Sequence, residues 1–257
     1  MLTVISPAKK LDFEGAPLKH DATEPDYQAD AYSLSRTARR LSVADLQKLM
    51  SISPALAKLN QARFKAFAEA PTPEQVKPAA LAFNGDTYTG LQADTLSADD
   101  LTYAQNHLRI LSGLYGLLRP MDNIQPYRLE MGSRLATRRG KTLYQYWGAR
   151  IAEAINEVEI DTLLNCASVE YFSVITPEVL TPKVITPVFM ELRDGEAKIV
   201  SFFAKKARGM MARYVVQNRI DTPEGIKSFT HGGYSFQPTE SSDTKLVFTR
   251  AYPDTTP

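Results

Sequence analysis

Apolar residues fall in short clusters along the chain, and the period of each cluster separates strand from helix before any chemistry is considered. Leu2 to Ile5 reads as a short buried strand running into the turn SPAKKLDF. Ser42 and Ser53 stand where helix N-caps belong, the second followed by Pro54, and Leu56, Leu59, Phe64 and Phe67 recur at helical spacing. Residues 79–83 predict another short strand before the turn Asn84-Gly85-Asp86. Ser97 caps a helix expected to reach Leu111, with Asp99 and Asp100 in the first turn, where negative charge suits the dipole. A second helix is expected over 143–158, with Trp147, Ile151 and Ile155 on one face. Beyond it, 162–165 reads as a buried strand, and 184–192 with 197–203 as a hairpin closed by Asp194-Gly195. A helix over 205–219 and a strand over 245–252 complete the pattern. Strands and helices neither alternate strictly nor separate, so the expected fold is α+β, one mixed domain over 1–257 with irregular strand order.

At 257 residues, 44% apolar and 23% charged, the chain has the composition of a packed globular protein. Its N-terminus lacks a signal-peptide pattern, and no apolar run approaches the roughly 20 residues of a membrane span. The lone Cys166 cannot form an internal disulfide, in keeping with a reducing compartment, and the expected location is cytoplasmic, with no membrane partner.

Charge changes the picture. From Tyr103 to Arg150 eight Arg and Lys face two acids, and from Lys198 to Arg219 six face none. These stretches carry +12 and leave −11 on the rest of a chain whose total is +1. Cation-rich segments in an acidic body point to a surface that receives phosphates. In HLRILSGLYGLLRPMDNIQPYRLEMG, Gly113 and Gly116 bracket a turn whose N–H groups are candidates for an anionic oxygen, with Ser112 beside them and Arg109, Arg119 and Arg128 flanking. The plainer alternative is a helix C-cap with arginines paired to nearby acids. In FFAKKARGMMARYVVQNR, Lys205, Lys206, Arg208 and Arg213 form a cationic ridge beside an apolar face, or else a solvated one. Lys9 and Lys10 are further phosphate candidates. Glu130, Ser168, Glu170 and Tyr171 are candidates for acid–base or recognition roles, with Ser168 equally able to cap a helix. His20, His107 and His231 lie far apart with no carboxylate or Cys at ligand spacing, so no metal site or cofactor is expected. Neither a dinucleotide nor a P-loop motif occurs.

Taken together, SPAKKLDF, FNGDTYTGLQA, LRILSGLYGLLRPMDNIQPYRLEMG, LYQYWG, NCASVEYF and SFFAKKARGMMARY resemble the YaaA family of bacterial peroxide-stress proteins over essentially the whole chain. The resemblance implies an association with limiting free intracellular iron during hydrogen peroxide stress. It also implies DNA binding through a positively charged cleft and a helix-hairpin-helix element, which by position would be Ser112 to Gly116. This sequence departs from the usual hairpin, because two residues separate its glycines and Pro120 follows soon after. Three activities follow as expectations: DNA binding by backbone and shape; an enzyme acting on a nucleobase, nucleotide or phosphorylated small molecule; and direct iron sequestration, which the scattered ligand types disfavour.

Overall fold

The computed structural model describes residues 1–14 and 22–253, so His20 lies outside the described residues. One mixed sheet organises them. Its strands are β1 (Leu2–Ile5), β2 (Leu108–Ser112), β3 (Gly116–Leu118), β4 (Thr162–Cys166), β5 (Lys183–Arg193), β6 (Glu196–Lys198), β7 (Ser235–Phe236) and β8 (Lys245–Ala251), in the order β7-β8-β5-β4-β1-β2-β3, with β6 paired to β5. The central pairs β2-β1, β1-β4, β4-β5 and β5-β8 are parallel; β2-β3, β5-β6 and β7-β8 are antiparallel. Every residue of β1 and β4 is buried, as a parallel strand covered on both faces requires.

The helices are α1 (Gln28–Ala38), α2 (Val43–Met50), α3 (Pro54–Ala66), α4 (Ala79–Ala82), α5 (Asp86–Leu91), α6 (Ala98–His107), α7 (Leu143–Trp147), α8 (Arg150–Asn156), α9 (Val169–Phe172) and α10 (Ser201–Asn218). Ser42 and Ser97 make capping boxes with Asp45 and Asp100, and Ser53 caps α3 with Pro54 at its first position. Asp194 and Gly195 both take positive φ, as the hairpin turn between β5 and β6 needs. Among the described residues no helix is long and apolar enough to cross a membrane.

Several expectations are corrected. Residues 79–82 are helical, because the alanine run Ala79-Ala80-Leu81-Ala82 favours a helix over a strand. The helix from Ser97 stops at His107, since Leu108 to Leu111 pair beside β1 and the sheet outweighs a spacing that suits either period. Gly148, at φ 53°, divides the expected 143–158 helix into α7 and α8. The strand expected over 197–203 ends at Lys198, and α10 already begins at Ser201.

The helix-hairpin-helix element is not present at 112–116. That segment is the turn between antiparallel strands β2 and β3, and all of it is buried. Its polar groups are used internally: Tyr115 N–H donates to Ser112 Oγ at 2.9 Å, Ser112 Oγ meets Tyr127 Oη at 2.6 Å, and Trp147 Nε1 donates to the Gly113 carbonyl at 3.2 Å. Gly116 sits at φ +70° against Trp147. A Cβ at Gly113 would stand 2.4 Å from the Leu129 carbonyl oxygen, so close backbone approach explains that glycine better than an anion cradle does.

Candidate functional site

The chain lays β2 on one side of β1 and, returning, lays β4 on the other. The carboxyl ends of β1 and β4, with Ile5 opposite Cys166, therefore form a switch point where open α/β sheets commonly leave a crevice. Ser6 and Ser168 follow those ends. Ser168 N–H donates to Ser6 Oγ at 2.9 Å, the two hydroxyls lie 3.3 Å apart, and Tyr88 Oη from α5 donates to the Ser6 carbonyl at 3.2 Å. Asn165 Oδ1 accepts from Ala167 N–H at 3.0 Å and shapes the exit from β4. Ser168 has N-cap backbone geometry for α9 but no side-chain cap bond, so its hydroxyl turns to Ser6.

Around this junction stand Glu130 and its cations. Arg128 meets Glu130 Oε1 at 2.8 Å through Nη2, and Lys9 Nζ lies 3.8 Å from the same oxygen. The other oxygen, Oε2, is buried and has no hydrogen-bond partner. Unpaired buried carboxylate oxygens cost free energy, so Glu130 Oε2 retains its capacity to accept a hydrogen bond. Tyr127 and Tyr171 lie close enough to Glu130 to feel its charge, Tyr88 feels theirs, and burial foremost pushes all three hydroxyls well above the usual tyrosine range. They are neutral donors at physiological pH. Glu170 is exposed and accepts from Gly132 N–H at 3.0 Å, so it anchors the 130–132 segment to α9.

The second cation-rich stretch reaches the same place from α10. Burial lowers the Arg208 pKa. Lys205 Nζ lies 4.0 Å from Asp86, next to Gly85, where a Cβ would meet Ala8 at 3.0 Å. Burial pushes the Cys166 thiol up to about 12, so it is no thiolate at neutral pH.

Lys9 and Arg128 thus gather at Glu130, and Glu170 braces the segment that carries it, while Lys205 stands at Asp86, beside the Gly85 that packs on Ala8. The other candidates do not join. Arg109 donates to the Gln105 and Leu108 carbonyls, and Arg213 to those of Leu91 and Gln92. Arg119 is paired with Asp122 at 3.0 Å and Asp26 at 3.2 Å. Ser112, Gly113 and Gly116 are consumed by the buried turn. Lys10 and Lys206 are exposed, with no ion pair among the described residues. Ser6, Tyr88 and Tyr127 were not singled out from the sequence, although Ser6, directly after an all-apolar strand, carried the positional signal. Among the described residues, no group of three or more His, Cys, Asp or Glu side chains is placed to hold a metal ion.

A parallel-centred mixed sheet with polar and cationic groups collected at its switch point defines an open-sheet α/β protein. Within that class, the chain belongs to the YaaA family of peroxide stress proteins, whose family model matches residues 1–240. It is 58% identical to a UPF0246 protein of Dinoroseobacter shibae, over 100% of this chain and 97% of that one. It is also 56% identical to a UPF0246 protein of Roseobacter denitrificans (98% and 99% covered), and 52% identical to one of Burkholderia mallei (97% and 98% covered).

Proposed function

We propose that this peroxide stress protein binds a phosphate-bearing nucleotide unit at the ends of β1 and β4. The observation that carries the reading is Glu130 Oε2, buried and unpartnered on a carboxylate whose other oxygen holds Arg128 and Lys9. A carboxylate oxygen in that position calls for an N–H or O–H donor, which a base edge or a sugar hydroxyl supplies, while Lys9, Lys205 and Arg208 suit the phosphate. In the enzymatic form of this reading, Glu130 takes the proton and the neutral tyrosines orient the base. Glu130→Gln is expected to weaken a nucleoside monophosphate roughly tenfold or more in calorimetric titration, the cost of a lost charged hydrogen bond. Equal affinities for both proteins would remove the reading.

The same rim supports a second reading, in which the nucleotide belongs to DNA. Lys9 and Lys205 have side chains 64% and 53% exposed, and Lys10 and Lys206 are also exposed, so the rim retains charge for neighbouring phosphates. Because Arg109, Arg119 and Arg213 are already engaged, about four contacts are expected, and log affinity for duplex should fall against log salt with slope near −3.6. A flat response would exclude DNA. Limiting free iron would be the cellular outcome of binding at this site, and a variant that loses the ligand should fail to restore peroxide resistance.

A further inference from the structure

A second concavity lies apart from the strand ends, between α1 and the turn at 137–140, with a volume of about 710 Å³. Such a volume suits a nucleotide-sized molecule. One wall is the outer face of α1 and the turn after it, where Ser33, Arg36, Thr37 and Arg40 recur at helical spacing. The other wall carries Arg138 and Arg139. That turn is rigid: Thr137 N–H donates to the Gly140 carbonyl at 2.8 Å, and Arg139 N–H donates to Thr137 Oγ1 at 3.1 Å.

The two walls are fastened to each other by Asp30. Its Oδ1 receives Arg139 at 2.5 Å, Tyr146 Oη at 2.7 Å and Arg150 at 3.0 Å. The guanidinium of Arg139 lies over the Tyr146 ring, and that of Arg150 over Trp147. The two walls are therefore joined by a fixed linkage. Within it, Arg36, Arg40 and Arg138 have no carboxylate partner among the described residues, in contrast to Arg119, Arg128, Arg139, Arg150 and Arg219, each of which has one. Glu69 is the single carboxylate in the lining. Three exposed guanidinium groups without a carboxylate partner line one cavity, an arrangement suited to an anion shared between them.

We propose that this cavity is a second anion site, for a small molecule carrying at least two phosphate groups. Guanidinium forks from opposite walls match separated phosphoryl groups, and Ser33 and Thr37 supply hydroxyl donors between them. This site does not depend on the reading of the strand-end site, because it shares no side chain with it.

The test is calorimetric titration of the whole protein with inorganic triphosphate, using orthophosphate and a 20-base-pair duplex as comparison ligands. Wild type is expected to bind triphosphate saturably and far more tightly than orthophosphate. Arg36→Gln, Arg40→Gln and Arg138→Gln should each weaken it roughly tenfold, while Lys245→Gln, exposed and outside both sites, should leave it unchanged. These arginines are exposed, so the variants are expected to fold, and a thermal melt of each checks that. Absence of saturable binding, a triple variant that binds like wild type, or equal affinity for orthophosphate would overturn the proposal. Displacement of triphosphate by the duplex would overturn it too, by assigning the cavity to a nucleic-acid surface. Loss of binding in Lys9→Gln with retention in the arginine variants would instead place the anion at the strand ends.

Discussion

Single side chains explain why so few of the cations gather at one place. An arginine near a backbone carbonyl or an aspartate is satisfied locally, and Arg109, Arg119 and Arg213 illustrate both cases. Glu130 is the opposite: it holds two cations on one oxygen and offers the other to nothing. Cys166 is equally decided by its surroundings. Its thiol is buried and pushed up to about 12, so the folded protein should react with iodoacetamide far more slowly than urea-unfolded protein. Similar rates in the two states would show that the thiol is accessible. Asp30 gives a pH-dependent effect. Burial alone would raise its pKa, but the hydrogen bonds from Tyr146 and Arg150, the Arg150 charge and the Arg139 bond together hold it below the usual range. A depressed carboxylate contributes stability that is present above its unfolded pKa and lost as pH falls through the folded one. Urea unfolding from about pH 5 down to about pH 2 should therefore show a loss that is shallower in Asp30→Asn. A wild-type profile no steeper than the variant's would refute this role.

At the scale of elements, contact between α5 and α10 brings Tyr88 and Lys205 to the strand ends, and two glycines make it possible. A Cβ at Gly209 would stand 1.8 Å from the Thr87 carbonyl oxygen, and one at Gly90 would stand 2.1 Å from that of Lys206. Gly209→Ala should destabilise by about 1–3 kcal/mol or more in denaturant unfolding, because the helices must separate. An unchanged midpoint would mean that the helices are not in this contact. Neither glycine's role was legible beforehand, since in a helical stretch such a residue reads only as a weak helix former. Caps were legible: Ser42, Ser53 and Ser97 act through bonds three residues away, within reach of a sequence pattern. Leu108 to Leu111 were not, because an apolar run of that length fits either period and its strand partner, β1, lies about a hundred residues earlier.

For the whole molecule, the two cation-rich stretches divide between cations engaged locally and cations left near the N-terminal turn. Arg128 and Lys205 approach the N-terminal turn, and what joins them is the order of parallel strands, which no local pattern encodes. The resemblance placed the chain in its family, while its expected hairpin motif turned out to be a buried β-turn against Trp147. The strand-end site therefore depends on topology: β1 and β4 set Ser6 beside Ser168, the turn after β1 carries Lys9 to Glu130, and Glu170 after β4 holds the segment that contains Glu130. The most direct measurement is backbone amide mapping by NMR as a nucleoside monophosphate is titrated into the protein. Saturable shifts centred on Ser6–Lys10, Arg128–Gly132 and Ala167–Tyr171, whose midpoints move together to roughly tenfold or more higher ligand concentration in Glu130→Gln, are the predicted result. Saturable shifts that leave those three segments unmoved, or none at all, would contradict the account.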